Sequence, residues 1–446
     1  MQGKFPDILK ITKIIPVHKH GDRMNMENYR PISLLSIFSK VFEKVIYNRL
    51  ISFLQKYNTI NKDQHGFTAS KSTETASFEF VEYIHNQLEQ NKIVIGLFFD
   101  LSRAFDTLNL RFVEEKLYSI GIRDNILSLV MSFLSERRIY VKINDVISEQ
   151  YPMNIGAAQG SVLAPLIFIL YINDLSLPGM TIKFADDTSI AIAADTSDKM
   201  YERMAEVCNS MNDWCFLNQQ ILNKNKTVTM HFHKIISRVS LQKSERIVKL
   251  LGTYLDDTFN WEPQIDHICS KLNKAFFAIL KLKQSVPKST LITMYYALAY
   301  PHLSYNIILW GQAVNIQQVF INQKRILRLI FDLKRTQSCR NIFKENKILT
   351  LASIYIMKCP LYVFKNKDKF KQNLENHQYN TRHRTDIMVP RHSTALYEKS
   401  PYYACMKIFN KLPTEIKKIH SMNGFRSTMK KYLCENVYYL LKEFIC

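Results

Sequence analysis

Two adjacent aspartates, Asp186 and Asp187, stand between two short apolar segments. Apolar residues occupy alternate positions from Ile182 before the pair to Ile192 after it, the spacing of half-buried β-strands, so the aspartates fall where two strands turn. Adjacent carboxylates repel each other, and a divalent metal such as Mg²⁺, which prefers hard oxygen ligands, is one explanation for such a pair. An Asp-rich hairpin turn without a ligand is the other.

The charge of the chain is strongly positive and unevenly distributed. Its 446 residues include 60 Lys and Arg against 39 Asp and Glu, a net charge of +21. Residues 331–446 alone carry 22 basic and nine acidic residues, a net of +13. This asymmetry favours a polyanionic partner, with nucleic acid ahead of an anionic membrane surface.

Cysteine usage and hydropathy predict an intracellular chain, without a preference between the nucleus and the cytoplasm. The eight cysteines are scattered and form no Cys-x-x-Cys pair, which favours reduced thiols over a zinc site. The N-terminal residues do not have the pattern of a signal peptide. The longest apolar run, Val162–Ile172, contains Pro165 and is too short to span a bilayer, so we expect no membrane insertion.

Helical and strand patterns are mixed along the chain without regular alternation, which predicts an α+β fold. A helix is expected from Phe38 to Leu54 on apolar spacing, and another over residues 125–135, capped by Asp124. Further helices are expected at 74–90, 161–175 and 199–217, beyond Pro263 to about 333, and over 402–445; strands are expected at 93–99, 228–232 and 248–255.

Asp100 directly follows the continuous apolar run Ile93–Phe99, which predicts a buried strand. If Asp100 meets Asp186 and Asp187, three carboxylates are available for two Mg²⁺ ions, the arrangement that serves in-line displacement at phosphorus. A simpler interpretation is that Asp100 caps the turn that follows the strand.

These segments resemble the palm of reverse transcriptases of jockey-like non-LTR retrotransposons. The resemblance lies in an ordered set of motifs that spans nearly the whole chain: Asn28–Leu35, Gln64–Phe67, Phe99–Asp106, Gln159–Pro165 with Leu170–Leu175, Phe184–Asp187, Leu222–Thr227, Leu250–Leu255, Tyr300–Tyr305, Trp310–Gly311, Gln323–Arg328, Tyr397–Tyr402 and Asn410–Pro413. It implies a right-hand polymerase with fingers, a palm built on an antiparallel sheet, a helical thumb and a basic helical C-terminal segment.

The resemblance implies RNA-directed DNA polymerase activity, with an RNA template, a DNA primer and dNTPs as partners. Asp100, Asp186 and Asp187 would bind two Mg²⁺ ions, with Mn²⁺ as a possible substitute, and Lys226 would act as a general acid toward pyrophosphate. A surface lysine without a catalytic role is the alternative for Lys226.

The resemblance also implies a nucleotide site. Arg30 and Lys19 would contact the triphosphate, Phe105 would lie under the sugar and exclude a 2′-hydroxyl, and Gln159 with Gly160 would let the backbone approach the nucleotide. A solvated arginine and a core phenylalanine are the alternatives for Arg30 and Phe105.

Lys324, Arg325 and Arg328 would face the template–primer duplex from one side of a helix, or form a solvated basic face. The implied domains are fingers at 1–92, palm at 93–262, a thumb-like region at 263–335 and a basic region at 336–446 with a linker near 371–392.

Some features depart from the family pattern. Ala157 and Ala158 stand where Val-Pro is usual, Ala164 replaces a glycine, and Thr68–Ser70 lacks the usual basic residues. The endonuclease that accompanies this polymerase in full-length elements is not expected in the chain and would have to come from elsewhere. A decayed or truncated product that only binds nucleic acid is therefore the alternative function, and a metal-dependent nuclease is a weaker one.

Overall fold

Residues 3–234, 245–371 and 386–445 are described by a computed structural model. The chain divides into two compact units. The first unit comprises Met1–Ala76, Gly96–Ile192 and Ser197–Val228, and the second comprises Ser77–Ile95, Ala193–Thr196 and Thr229–Cys446. This division into two units does not test the four predicted domains, which remain a prediction. The central part of the predicted linker lies outside the described residues.

The described strands are β1 (Ile11–His18), β2 (Tyr29–Leu34), β3 (Ile93–Phe99), β4 (Arg137–Ile143), β5 (Val146–Ile147), β6 (Tyr151–Met153), β7 (Met180–Phe184), β8 (Asp187–Ala194), β9 (Val228–Phe232), β10 (Ile247–Leu250) and β11 (Thr253–Asp256). The helices up to residue 304 are α1 (Ile37–Lys56), α2 (Thr73–Glu89), α3 (Leu110–Ser119), α4 (Asp124–Leu134), α5 (Ala164–Tyr171), α6 (Ser197–Leu217), α7 (Glu262–Leu282), α8 (Lys288–Met294) and α9 (Tyr300–Ser304).

The later helices are α10 (Ile307–Trp310), α11 (Ile316–Ile330), α12 (Arg340–Glu345), α13 (Leu351–Lys365), α14 (Ala395–Glu398), α15 (Pro401–Asn410), α16 (Thr414–Lys417), α17 (Met422–Asn436) and α18 (Lys442–Ile445). Short 3-10 turns cover Asp7–Lys10, Met26–Asn28 and Lys367–Lys369, and a π-helical turn covers Tyr295–Ala299. This mixture confirms the α+β class.

Two sheets organise the strands near the predicted site. The first has the order β2-β1-β4-β5, with β6 also paired to β4; β1 is antiparallel to β2 and parallel to β4. The second has the order β7-β8-β3-β9. In β3 every residue after Ile93 is buried, as expected for a central strand with a continuous apolar sequence.

Strand β8 is more buried than the sequence pattern predicts. After Asp187, every residue of β8 is buried, so the expectation of a half-buried strand is wrong for this element. The reason is its central position between β7 and β3, which covers both edges and requires apolar or small residues on both faces.

Several predicted helices form with altered details. Helix α1 is confirmed, but its buried face consists of Ser39, Glu43, Ile46, Leu50 and Leu54, whereas much of the predicted apolar face is exposed. Asp124 begins α4 with a positive φ of 54° and its side chain does not cap the helix. Helix α5 is shorter than predicted, with Pro165 in its first turn as expected, because a proline is tolerated where the first amides have no partner.

In the second unit, the polar face of α2 holds the C-terminal region. Glu89 accepts hydrogen bonds from the backbone and side chain of Ser393 and from the Thr394 hydroxyl. Glu82 accepts a hydrogen bond from the Tyr402 amide at 3.1 Å, and burial raises the pKa of Glu82 to about 7. The basic C-terminal region is thus anchored through acidic side chains of an earlier helix.

Part of the predicted linker is packed against α15. Ile387 is buried, and its amide and carbonyl both pair with the Asn410 side chain at 2.8 Å. Asp386 forms an ion pair with Lys417 at 2.8 Å. In the described residues, no helix has the length and apolar character needed to cross a membrane.

Candidate active site

The two predicted aspartates lie on the tight hairpin that joins β7 to β8. Phe184 pairs with Asp187, which leaves Ala185 and Asp186 as a two-residue turn. Ala185 adopts a φ of +56°, a left-handed conformation that non-glycine residues rarely adopt. Asp187 is the first residue of β8, so the turn itself contains only one of the two aspartates.

A segment of the first unit clamps this hairpin from the side. The His65 amide donates to the Lys183 carbonyl at 2.7 Å, and the Lys183 amide donates to the Asp63 carbonyl at 2.8 Å. The Gln64 side-chain oxygen accepts from the amides of Gly66 at 2.8 Å and Ala185 at 3.4 Å. These bonds hold the strained turn in register with its neighbours.

Gly66 is required by this close approach. A Cβ at residue 66 would lie 2.7 Å from the Ala185 amide nitrogen and 3.1 Å from the Phe184 carbonyl carbon. Both are backbone atoms of the hairpin, so they cannot move without moving Asp186 and Asp187. The motif Gln64–Phe67 therefore supports the hairpin directly.

The three predicted carboxylates interact electrostatically. Burial, the Asp186 carboxylate and the Asp100 carboxylate raise the pKa of Asp187 to about 6. Burial also raises the pKa of Asp186, with Asp100 adding to the rise and Arg30 and Lys226 opposing it. The structure thus brings Asp100, Asp186, Asp187, Lys226 and Arg30 into one neighbourhood.

Asp100 is held at the end of β3 by a loop that precedes β9. Its Oδ2 accepts from the Lys226 Nζ at 3.0 Å and from the Asn223 Nδ2 at 3.3 Å, and its carbonyl accepts from the Asn223 amide at 2.9 Å. Lys226 is two-thirds exposed, so its ion pair adds little stability. Sequence reasoning missed Asn223, although it lies inside the motif that contains Lys226.

The carboxylates fit a divalent cation by chemistry. Carboxylate groups supply the hard oxygen ligands that Mg²⁺ and Mn²⁺ prefer, and positive charge would relieve the repulsion among Asp100, Asp186 and Asp187. In the part of the chain that the structure describes, however, no three His, Cys, Asp or Glu side chains converge as a ready-made metal site. The Lys226 ammonium forms an ion pair with a carboxylate oxygen of Asp100.

The loop before α5 lies against β2. The Ser33 amide donates to the Gln159 carbonyl at 2.7 Å, and Gly160 has a φ of +129°. A Cβ at residue 160 would stand 2.5 Å from the Ser33 carbonyl oxygen, so glycine is needed here for both conformation and space.

Glu43 of α1 fixes the other end of this loop, and sequence reasoning did not find it. Its side chain is fully buried; Oε2 accepts from the amides of Val162 at 2.6 Å and Leu163 at 3.2 Å, and Oε1 accepts from the Ser39 hydroxyl at 3.0 Å. The only signal in the sequence is an acidic residue inside an apolar helical pattern, which otherwise indicates a solvent-exposed position.

Phe105 and Gln159 are placed together by a network around Asp106. The Gln159 Nε2 donates to the Asp106 Oδ1 at 2.7 Å, and the Ala157 amide donates to the Phe105 carbonyl at 2.8 Å. The Phe105 ring packs on Phe168 of α5 with centroids 4.5 Å apart. Phe105 is half-buried, which leaves part of the ring accessible.

Arg30 and Lys19 lie on exposed ends of the first sheet. Arg30 is on β2, and the positive charge of its guanidinium partly offsets the rise in the pKa of Asp186. Lys19 follows β1, and its amide donates to the Asn28 carbonyl at 2.8 Å. The positive charge of Lys19 partly offsets the rise in the pKa of Asp106. Each predicted triphosphate ligand is therefore close enough to affect an acidic group of the site.

The three predicted duplex contacts lie on α11 in the second unit, within about 100° of one another around the helix axis and outside its buried face. The Lys324 ammonium stands over the Phe320 ring at 4.4 Å, and Arg328 donates to the Gln337 carbonyl at 3.1 and 3.3 Å. Arg325 stacks on Phe276 of α7 at 4.0 Å. Contact of these three side chains with nucleic acid remains a prediction.

A second group of basic side chains in this unit was missed. His267, Lys271 and Lys274 lie at helical spacing on α7. Burial is the largest cause of the lowered pKa of His267, and Lys271, Lys274, Lys249 of β10 and His302 of α9 add to it. We call these five residues the α7 basic cluster. Its members come from three elements, so no continuous basic run in the sequence reveals it.

Comparison with known proteins agrees with this geometry. The model of the family "Reverse transcriptase (RNA-dependent DNA polymerase)" matches residues 17–255, which include both carboxylate motifs and the clamp segment. The chain belongs to the reverse transcriptase family. The right-hand polymerase fold class predicted from the motifs follows from this membership.

Two relatives from Drosophila melanogaster illustrate the similarity. The probable RNA-directed DNA polymerase from transposon X-element is 24% identical over 402 residues, covering 84% of this chain and 42% of the relative. The RNA-directed DNA polymerase from mobile element jockey is 24% identical over 376 residues, covering 78% and 41%. The chain thus spans about two fifths of the length of these relatives.

Among solved structures, a telomerase from Candida albicans in complex with a fragment of telomeric RNA covers 96% of this chain and is itself covered to 68%. It is 11% identical and has a TM-score of 0.44.

Proposed function

We propose that this reverse transcriptase chain is an RNA-directed DNA polymerase that transfers nucleotides from dNTPs to a primer 3′-hydroxyl on an RNA template. The observation that carries the proposal is the group of Asp100, Asp186 and Asp187 within the family's matched region, where burial and mutual repulsion raise the pKa of Asp187 to about 6. Such crowding costs stability unless a ligand relieves it.

Asp100, Asp186 and Asp187 would hold two Mg²⁺ ions, which supply charge stabilisation for the attacking and leaving oxygens when bound. Lys226, whose ammonium pairs with Asp100 at 3.0 Å, would lie at the edge of this group of carboxylates and could donate a proton to the departing pyrophosphate. Arg30 can then contact the triphosphate with its guanidinium fork, which matches phosphate oxygens in a bidentate manner.

The remaining residues orient the nucleotide. The Gln159–Gly160 backbone is free of side-chain bulk at Gly160, and Glu43 fixes its position through two amides. The exposed part of Phe105 is braced by Phe168, so a 2′-hydroxyl above the ring would meet a surface that cannot yield. This arrangement supports a preference for deoxynucleotides.

The template and primer would be bound through positive charge in the second unit. Lys249, Lys271, Lys274 and His302 add to the lowered pKa of His267, and phosphates would relieve the like-charge repulsion in the α7 basic cluster. The alternative of a decayed binder is disfavoured, because binding alone does not require crowded carboxylates.

Primer extension tests the proposal. A labelled DNA primer on an RNA template with dNTPs and Mg²⁺ should be extended by the chain, and Asp186→Asn should lower the rate by ~10²–10³-fold, since each metal interaction contributes several kcal/mol. Asp198→Asn, an exposed residue at the start of α6, is the matched control and should retain activity.

Two results would contradict the proposal. Equal extension by the wild-type chain and Asp186→Asn would show that the carboxylates are not catalytic. Salt-dependent RNA binding by a wild-type chain that never extends the primer would instead support the decayed binder.

A further inference from the structure

One face of α1 is apolar and uncovered. Ile37, Phe38, Val41, Phe42 and Val45 are between 49% exposed, for Phe42, and 79% exposed, for Ile37. At 100° per residue these positions share one side of the helix, opposite the buried side that carries Glu43. Contiguous exposed apolar residues of this kind mark an interaction surface.

A cavity continues this face toward α4. It has a volume of about 350 Å³, and α1 lines it with Val45, Leu50 and Phe53, while the opposite wall is formed by Ile122, Ile126 and Leu129. All of these residues belong to the first unit. We call the exposed α1 face and this cavity together the α1–α4 groove.

The charged groups around the α1–α4 groove are mainly positive. Lys40 and Lys44 flank the apolar face, and Arg49 and Arg123 line the cavity together with a single acidic residue, Asp124. In the described part of the chain, none of these four cations forms a salt bridge, and Arg123 instead stands over the Tyr118 ring at 4.8 Å. Glu43, the only acidic residue of α1, points into the interior.

We propose that the α1–α4 groove docks an amphipathic, acidic α-helix of a partner protein. Apolar side chains three and four residues apart on such a helix would enter the groove, and flanking carboxylates would meet Lys40, Lys44, Arg49 and Arg123. This site is separate from the proposed polymerase chemistry.

The observations favour a helix over other occupants. A second copy carries the same net charge of +21 and would place these cations against each other. A bilayer surface is flat or gently curved and does not fill a cavity between two helices. Phosphate backbones satisfy the cations but leave the exposed apolar side chains without a partner.

The test uses two synthetic helical peptides of about 15 residues. Both carry leucines spaced three and four residues apart; one has glutamates and the other lysines at the flanking positions. We expect the acidic peptide to bind the full 446-residue chain in a fluorescence anisotropy titration. The lysine peptide should bind at least ~10-fold more weakly because its charges face like charges.

Variants locate the binding site. Val45→Glu and Lys44→Glu should each lower the affinity for the acidic peptide by ~10-fold or more. Val45→Glu would bury a charge in the complex, and Lys44→Glu would replace an attractive charge by a repulsive one. Val146→Glu changes a 76%-exposed apolar residue on β5 and is the matched control. This variant should bind the acidic peptide with the affinity of the wild-type chain. Primer extension should stay within ~2-fold for all three, which separates this site from the polymerase function and shows that the variants fold.

The proposal is overturned if the acidic peptide does not bind or if Val45→Glu and Val146→Glu bind it equally. It is also overturned if the wild-type chain binds phosphatidylcholine–phosphatidylserine vesicles through Val45 in place of the peptide. Concentration-dependent dimerisation that Val45→Glu abolishes, measured by analytical ultracentrifugation, would assign the groove to a second copy instead.

Discussion

In the first unit carboxylates crowd one another, whereas in the second unit cations do. Neighbouring aspartates add to the raised pKa of Asp187, and neighbouring lysines add to the lowered pKa of His267. In each place a ligand of opposite charge would relieve the repulsion, a divalent cation in one case and a polyanion in the other. The comparison therefore supports the proposal that the first unit carries the chemistry and the second binds the nucleic acid.

The supports of the two sites differ as well. The carboxylate hairpin depends on close backbone packing, with no space for a side chain at Gly66. The cations of α11 depend instead on aromatic rings and carbonyls that their long side chains reach, as Arg325 does at Phe276. A site that must place charges within ångströms uses rigid backbone, while a surface that binds phosphates tolerates flexible side chains.

Among the residues that support the two sites, the largest expected effect is that of Gly66→Ala. The added methyl group would meet the Ala185 amide and displace the hairpin, so we expect primer extension to fall by ~10²-fold, because a misplacement of about 1 Å has that effect on catalysis. RNA binding measured by filter retention should be retained. Ala69→Ser, a similar addition at an exposed neighbour, serves as the control. Loss of RNA binding in parallel with extension would show that the two functions are not separable in this way.

The second prediction concerns Glu82, whose pKa is raised by burial without the repulsion from neighbouring carboxylates that adds to the rise for Asp187. Burial raises the pKa of Glu82 to about 7 from an ordinary 4.5, so the folded chain keeps a proton that the unfolded chain releases. This contribution to stability is complete below about pH 4.5 and is lost as the pH rises to about 7, a decrease of roughly 3 kcal/mol.

Urea denaturation between pH 4.5 and 8 measures this contribution. Glu82→Gln keeps hydrogen-bonding atoms without the charge, so the free energy of unfolding should decrease less between pH 4.5 and 8 than in the wild type. Glu79→Gln, on the same helix and about a third exposed, is the control and should leave this decrease unchanged. If the Glu82→Gln chain loses stability with pH as steeply as the wild type does, the titrating group is another one.

The sequence indicated most of the site but not its supports. The aspartates, Arg30, Phe105 and the Gln159–Gly160 loop are local patterns that a family resemblance identifies. Glu43 and Asn223 act through contacts with residues distant in sequence, and no periodicity reveals such a partner. Where reasoning from a single element was wrong, as for the buried face of α1, tertiary contacts decided which side of the helix is covered.

Glu43→Gln tests one of these missed supports, with a smaller expected effect. Replacing the carboxylate removes a charged acceptor for the Val162 and Leu163 amides, and hydrogen bonds to charged groups contribute about 1.5–3 kcal/mol. We expect KM for dNTPs to rise ~10-fold with a smaller change in kcat, since the loop would shift while the carboxylates remain. Glu114→Gln, exposed on α3, is the control. A uniform loss of kcat with unchanged KM would indicate a general structural role.

The smallest effect is expected for the cations of the second unit, where it distinguishes the two candidate nucleic-acid surfaces. Each phosphate contact contributes about 0.7–0.9 to the slope of log affinity against log salt concentration, so Lys271→Ala with Lys274→Ala should reduce that slope by ~1–2 and weaken RNA binding several-fold. Lys324→Ala with Arg328→Ala removes the same charge from side chains that already have partners within the unit, at Phe320 and Gln337. The slope should change less for this pair, because its cations are already engaged by the protein. A larger change in this slope for the α11 pair than for the α7 pair would show that α11 contacts the duplex, as the sequence motifs predict.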